Sequence, residues 1–164
     1  MNDKEKIMNQ FYTAESVTEG HPDKLCDIIA DSVLDDCLSH DPFSRVACEV
    51  LATRGQIIAA GEITSRHSPD IPAIARSVLS EIGYDPKSYN IQYFIHKQSP
   101  DIADGIDNPL EEREKQENPS SLRLGAGDQG VMVGYACDET RQLLPLPVVL
   151  AHRLTNRLTA ARKS

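Results

Sequence analysis

No segment of the chain approaches the ~18 consecutive apolar residues that span a bilayer, and Met1–Gln10 (MNDKEKIMNQ) is polar throughout, without an apolar signal core. There is no basic excess either: 17 Lys and Arg stand against 25 Asp and Glu, a net charge of −8. That is a poor footprint for a nucleic-acid binder. The four cysteines, Cys26, Cys37, Cys48 and Cys137, contain no C-x-x-C pair and lack the close histidines of a zinc site. Without a secretory signal they read as reduced, partly buried thiols that pack as small hydrophobes. These absences predict a soluble, cytoplasmic protein with neither nucleic acid nor membrane among its partners.

The common catalytic signatures are also missing. There is no G-x-S-x-G elbow, no H-E-x-x-H, and nothing sets a serine or cysteine nucleophile beside a histidine base. Gly125-Ala126-Gly127-Asp128-Gln129-Gly130 is rich in glycine, yet no G-K-[ST] follows it and no strand runs into it. It is neither a Walker A loop nor a dinucleotide fingerprint. No internal repeat is present.

What remains is an ordinary globular composition, 40% hydrophobic and 26% charged, over 164 residues. That length suits one large domain, or one domain with part of another. Pro22 to about Ser39 has helical spacing: Leu25, Ile28, Ile29, Val33 and Cys37 form one apolar face, with Asp27, Asp31 and Asp35 turned outward. Arg45–Thr53 and Gln56–Thr64 are β-like runs separated by Arg54-Gly55, a two-residue hairpin turn. Ser68-Pro69-Asp70 opens a second helix that Gly83 closes, and Tyr89–His96 alternates as a strand with Phe94 the odd member. Helix, hairpin, helix, strand predicts an α+β fold, a two-layer arrangement with the helices packed on one face of the sheet.

After His96 the texture changes. Lys97–Leu124 carries seven acids, four bases and three prolines with almost no periodicity, the composition of a lid, linker or disordered run. Order returns with an alternating Gly130–Cys137, predicted to be a strand. Pro147–Arg162 has helical spacing through Val148, His152, Thr155 and Leu158. The expected layout is a polar lead over 1–10, an α+β domain over 11–97, a loop or linker over 98–124, and the incomplete beginning of a second α+β domain over 125–164.

Three features carry chemistry. His21-Pro22-Asp23 stands at the predicted start of the first helix, where unpaired amides and the dipole favour an anion. A histidine there donates to phosphate and the carboxylate beside it suits Mg²⁺, although good capping explains the same residues. In the second feature, the hairpin register sets Glu49 and Glu62 on one sheet face as diagonal neighbours. That is either a solvated face or a seat for a cation or ammonium. The third is the glycine-rich run, where Asp128 is able to accept from an amine or hydroxyl; alone it reads as a turn.

Taken with its neighbours, Phe11-Tyr12-Thr13-Ala14-Glu15-Ser16-Val17-Thr18-Glu19-Gly20-His21-Pro22-Asp23-Lys24 resembles the opening signature of the S-adenosylmethionine synthetases (methionine adenosyltransferases). Ala47-Cys48-Glu49, Gly61-Glu62-Ile63-Thr64, Lys97-Gln98-Ser99-Pro100-Asp101-Ile102 and the run Gly125–Gly130 resemble that family's next motifs, in the same order. The resemblance extends from Phe11 to the C-terminus and covers the first of three similar α+β domains plus the opening of the second.

The resemblance implies roles residue by residue. His21 matches the histidine that contacts the ATP phosphates and helps the triphosphate leave. Glu15 and Asp23 match carboxylates associated with Mg²⁺, of which the family binds two per site, and Glu49 matches the acid of a K⁺ site. Glu62 and Gln98 match methionine-binding positions, and Asp128 matches an acid that reaches substrate across a subunit interface. Gln98-Ser99-Pro100-Asp101-Ile102-Ala103-Asp104-Gly105-Ile106-Asp107-Asn108 matches a mobile loop that gates the site. The implied partners are ATP, L-methionine and further copies of the chain, as a homodimer or dimer of dimers.

The implied reaction joins methionine sulfur to the ribose C5′ of ATP and expels the triphosphate, which is hydrolysed to pyrophosphate and phosphate. A thioether nucleophile needs no general base, in keeping with the missing catalytic dyads. The downstream residues that complete such a site have no counterpart here, so the chain is expected to be a fragment, inactive alone. A short non-catalytic paralogue acting as a binding or regulatory partner, and a generic nucleotide-binding module, are the alternatives.

Overall fold

A computed structural model of the chain describes residues 11–98 and 130–164. They fall into two compact units: one joins the N-terminal segment through Thr18 with Val133–Ser164, the other begins at Glu19 and holds the sheet.

In the larger unit, α1 spans Pro22–His40. Pro22 fits the first turn, where its missing N–H costs nothing, and His40 ends the helix before Asp41 leaves helical geometry. The buried stripe is Leu25, Ile29, Val33 and Cys37, while Asp27, Asp31 and Asp35 face solvent, as the spacing predicts. Strands β1 (Arg45–Thr53) and β2 (Gln56–Thr64) pair antiparallel, with Thr53 opposite Gln56. The turn between them needs Gly55, whose φ is +70°.

Helix α2 (Ile71–Ile82) starts on Asp70, whose side chain accepts from the Ala73 amide, and stops at Gly83 in the left-handed conformation, φ 94°. After a 3₁₀ turn at Pro86–Ser88, β3 (Asn90–His96) lies parallel to β2. A parallel neighbour requires a crossover, and α2 supplies it. The sheet order is β1-β2-β3.

Side chains alternate through this sheet. Val46, Cys48, Val50 and Ala52 of β1, Ile57, Ala59 and Ile63 of β2, and Ile91 and Ile95 of β3 pack against the two helices. The core has two ends. Leu25 and Ile29 of α1 meet Ala52, Ile57 and Ile91, whereas Val33 and Cys37 meet Val46, Ile63 and Ile95. Burial raises the pKa of the Cys26, Cys37 and Cys48 thiols, and all four cysteines are free. This is the predicted α+β layer with helices on one face.

In the smaller unit, α3 covers Leu146–Lys163. The Glu139 carboxylate accepts from the Leu146 amide at 2.9 Å, satisfying a first-turn donor that Pro145 has no side chain to cap. Ser16 joins the N-terminal segment to this helix, 2.9 Å from His152 Nδ1 and 3.1 Å from the Thr155 hydroxyl.

Two expectations differ here. Gly130–Cys137 forms no strand: its alternation is present, but no described strand pairs with it, and Val131, Met132 and Val133 are each 90% exposed. A strand without a ladder leaves its amides to water. On α3 the buried residue is Val149, while Leu158 of the predicted stripe is 64% exposed. Leu146, Leu150, Leu154 and Leu158 thus form an exposed apolar row at four-residue spacing. Among the described residues no helix is long and apolar enough to cross a membrane.

Candidate functional site

His21 is the N-cap of α1. Its Nδ1 accepts from the Asp23 amide at 3.2 Å and lies 4.0 Å from the Asp23 carboxylate. With Nδ1 accepting, the neutral ring carries its proton on Nε2, which turns a donor outward beside the positive end of the helix. The side chains are 42% and 91% exposed, so an anion and its counter-ion have direct access.

The approach to His21 is fixed by Tyr84, which follows the Gly83 cap. Its hydroxyl donates to the Gly20 carbonyl at 3.0 Å and occupies the space that a Cβ on residue 20 would need. This Gly20–Tyr84 contact, next to His21, is one that sequence reasoning missed. A hydrogen bond between residues 64 positions apart leaves no local pattern.

The second group stands on the sheet face turned away from the helices. Register sets Glu49 opposite Ala60 and Ala47 opposite Glu62, so the two acids are diagonal neighbours as the hairpin predicts. Glu62 in turn faces His96 on β3. His96 was not a predicted site residue, because a parallel pairing across a helical crossover is invisible to turn geometry. Gly61 has φ +149°, and a Cβ there would collide with the Ala47 carbonyl; glycine lets the ladder close beside Glu62. Two residues beyond His96, Gln98 buries its Oε1 without a hydrogen-bond partner among the described residues. An unpaired buried acceptor is rare and calls for a donor from elsewhere.

These groups do not meet within the larger unit. His21 belongs to the end of α1 that packs on Ala52 and Ile57; Glu62 and His96 lie at the other end of the strands and on the opposite face. From Gln56 to Glu62 alone is about 20 Å of strand. Glu15 is exposed and belongs to the smaller unit with Ser16. Asp128 and the gating-loop positions Ser99–Asn108 lie outside the described residues, as does most of the aperiodic run.

The chemistry of each group is clear. One offers an imidazole N–H and a carboxylate to a phosphate–cation pair. The other offers two carboxylates to an ammonium or alkali cation. The S-adenosylmethionine synthetase N-terminal domain matches over residues 9–103, and the central domain of the same family over residues 123–164. The chain belongs to the S-adenosylmethionine synthetase family.

Three relatives carry the name S-adenosylmethionine synthase. The protein of Desulforudis audaxviator (strain MP104C) is 51% identical over 165 residues, 96% of this chain and 42% of its own length. That of Leifsonia xyli subsp. xyli (strain CTCB07) is 50% identical over 161 residues, 94% and 41%. That of Nocardia farcinica (strain IFM 10152) is 49% identical over 163 residues, 95% and 40%. The chain thus spans roughly two fifths of the length of these S-adenosylmethionine synthases.

Proposed function

We propose that this chain carries the phosphate-contacting and methionine-contacting portions of a methionine adenosyltransferase. That transferase makes S-adenosylmethionine from ATP and L-methionine and releases phosphate and pyrophosphate. The observation that supports this reading is the separation just described. His21 with Asp23 stands in the helical layer at the Ala52–Ile57 end, whereas Glu49 and Glu62 lie on the opposite face of the sheet, Glu62 toward its other end. A second copy must supply one group if both are to touch a single pair of substrates, so the working form is a homodimer or a dimer of dimers.

In this reading His21 Nε2–H donates to a phosphate oxygen, and the bond strengthens as charge builds on the leaving triphosphate. The Glu62 carboxylate holds the methionine ammonium and the Gln98 carboxamide orients the amino acid. The sulfur then lies in line with the ribose C5′, and alignment replaces a general base. Asp128 reaches ATP from the neighbouring copy, and Gln98–Asn108 closes over the bound pair. Asp23 and Glu15 are exposed oxygen donors that suit Mg²⁺, and Glu49 is a carboxylate on an open face that suits K⁺. When bound, these cations supply counter-charge for the triphosphate. This reading places the reaction in the cytoplasm.

The same inventory argues that the 164 residues do not turn over alone. A triphosphate carries about four negative charges, and desolvated charge must be met by cations. Glu15, Asp23, Glu49, Glu62 and Asp128 outnumber His21, Lys24 and Lys97. The purified chain, given ATP, methionine, Mg²⁺ and K⁺, is expected to form no S-adenosylmethionine. Turnover within about tenfold of a full-length relative, a barrier difference of about 1.4 kcal/mol, would overturn the fragment reading.

A further inference from the structure

At the far end of α1 from His21, about 27 Å along the helix, lies a cluster that the proposed reaction does not use. Asp36, His40 and His67 each offer one ligand atom, and the three atoms lie within 4.8 Å of one another. Asp36 and His40 share one helix face at i, i+4 spacing, and His67 comes from the loop after β2. His67 Nε2 is 2.7 Å from Asp36 Oδ2, His40 Nδ1 is 3.7 Å from Asp36 Oδ1, and the two imidazoles stack with centroids 3.9 Å apart.

We propose that Asp36, His40 and His67 form a binding site for a divalent transition metal of the imidazole-preferring class, with Zn²⁺ as the reference ion. Four observations carry it. The donor set is two imidazoles and a carboxylate, which suits Zn²⁺, Cu²⁺ or Ni²⁺ and leaves a fourth position for water. The loop is already tied to the helix end: the Arg66 amide donates to Asp41 at 2.9 Å and the Ser44 hydroxyl to Ser65 at 2.7 Å. The ligands therefore arrive partly organised. The C-terminal end of α1 favours positive charge. Finally, the His40 side chain is 55% exposed and those of Asp36 and His67 29% and 27%, which gives an ion a way in.

Metal–nitrogen bonds of about 2.1 Å in a tetrahedron set ligand atoms about 3.4 Å apart, so the widest separation must close by up to about 1.4 Å while the 2.7 Å His67–Asp36 pair opens by about 0.7 Å. One ring must also leave its stacked pose; for the exposed His40 that means giving up the Asp36 carbonyl and Ser39 hydroxyl, which its Nδ1 meets at 2.8 and 3.0 Å.

The test is titration of the 164-residue chain with Co²⁺ as spectroscopic stand-in, then displacement by Zn²⁺. Visible bands of nitrogen- and oxygen-ligated Co²⁺, without a thiolate charge-transfer band, are expected. His40→Gln and His67→Gln should each weaken binding by about tenfold or more. Circular dichroism of each variant would show that α1 persists. Absence of bands, a thiolate signature from the cysteines, or unchanged affinity in both variants would each overturn the proposal and leave a hydrogen-bonded helix clamp only.

Discussion

Replacing Gly61 by alanine should cost far more than an ordinary strand substitution, and the structure shows why. Its φ of +149° is a torsion that L side chains rarely adopt, and the added Cβ would run into the Ala47 carbonyl and crowd Cys48 Cα. Neither obstacle is the movable tip of a side chain: both are backbone of the paired strand. Holding a non-glycine residue in such a torsion costs about 1–3 kcal/mol, and forcing packed atoms apart about as much again. A loss of about 2–6 kcal/mol is expected, and for a unit of this size each kcal/mol lowers Tm by roughly 4–8 °C.

Gly134 is the matched control, because nothing lies within 4 Å of a Cβ built there. Gly134→Ala should stay within about 0.5 kcal/mol of the parent. Thermal unfolding followed by far-ultraviolet circular dichroism reads both. If Gly61→Ala melts within about 5 °C of the parent, less than ~1 kcal/mol, the close approach beside Glu62 is not what holds the strands together.

Three further outcomes follow from particular contacts. Asp41 accepts backbone N–H bonds from Arg66 and Phe43, which hold its carboxyl below the ordinary value of 3.8. Its contribution to stability is thus fully present above that ordinary value and fades as pH falls through the lower folded-state value. Asp41→Asn should flatten this acid limb of a pH–Tm curve, and an unchanged limb would refute it. Cys37 is fully buried with its thiol pKa raised; iodoacetamide should modify it only after urea unfolding, and rapid labelling of the native chain by peptide mass analysis would show otherwise. In a full-length relative, asparagine at the position of His21 should lower kcat far more than it raises the ATP KM, since the contact strengthens with leaving charge; equal kcat would remove His21 from that role.

How far the sequence discloses this molecule depends on whether a feature is local. Both β1–β2 boundaries, the Arg54-Gly55 turn and the diagonal Glu49–Glu62 pair follow from one two-residue hairpin, because turn length fixes register. The caps at His21, Asp70 and Gly83 are equally local, so α1 and α2 end within a residue or two of their predicted limits. Features made by distant partners are not visible in that way. His96 beside Glu62, Tyr84 against Gly20 and His67 on Asp36 each need the crossover to be built before they exist. Gly130–Cys137 shows the converse failure, since its period is that of a strand while pairing decides whether one forms.

Motif order along a chain carries no information about which face each motif occupies. Parity along the strands supplies it. Val46, Cys48, Val50 and Ala52 are held under the helices, so Ala47, Glu49 and Leu51 must face the other way, and Glu62 follows through its pairing with Ala47. His21 stands in the helical layer instead, at the end marked by Ala52 and Ile57. No rotamer change carries a side chain through a packed sheet, so the two groups stay apart in one copy of this unit. The same parity leaves Leu51 and Phe94, 58% and 56% exposed, on the face that holds Glu49 and Glu62. An acid-bearing face with apolar neighbours of that size is suited to burial against a partner that brings positive charge or a cation. In the homodimer proposed above, a substrate linking the two groups would be enclosed between copies, and formation of the site would follow assembly.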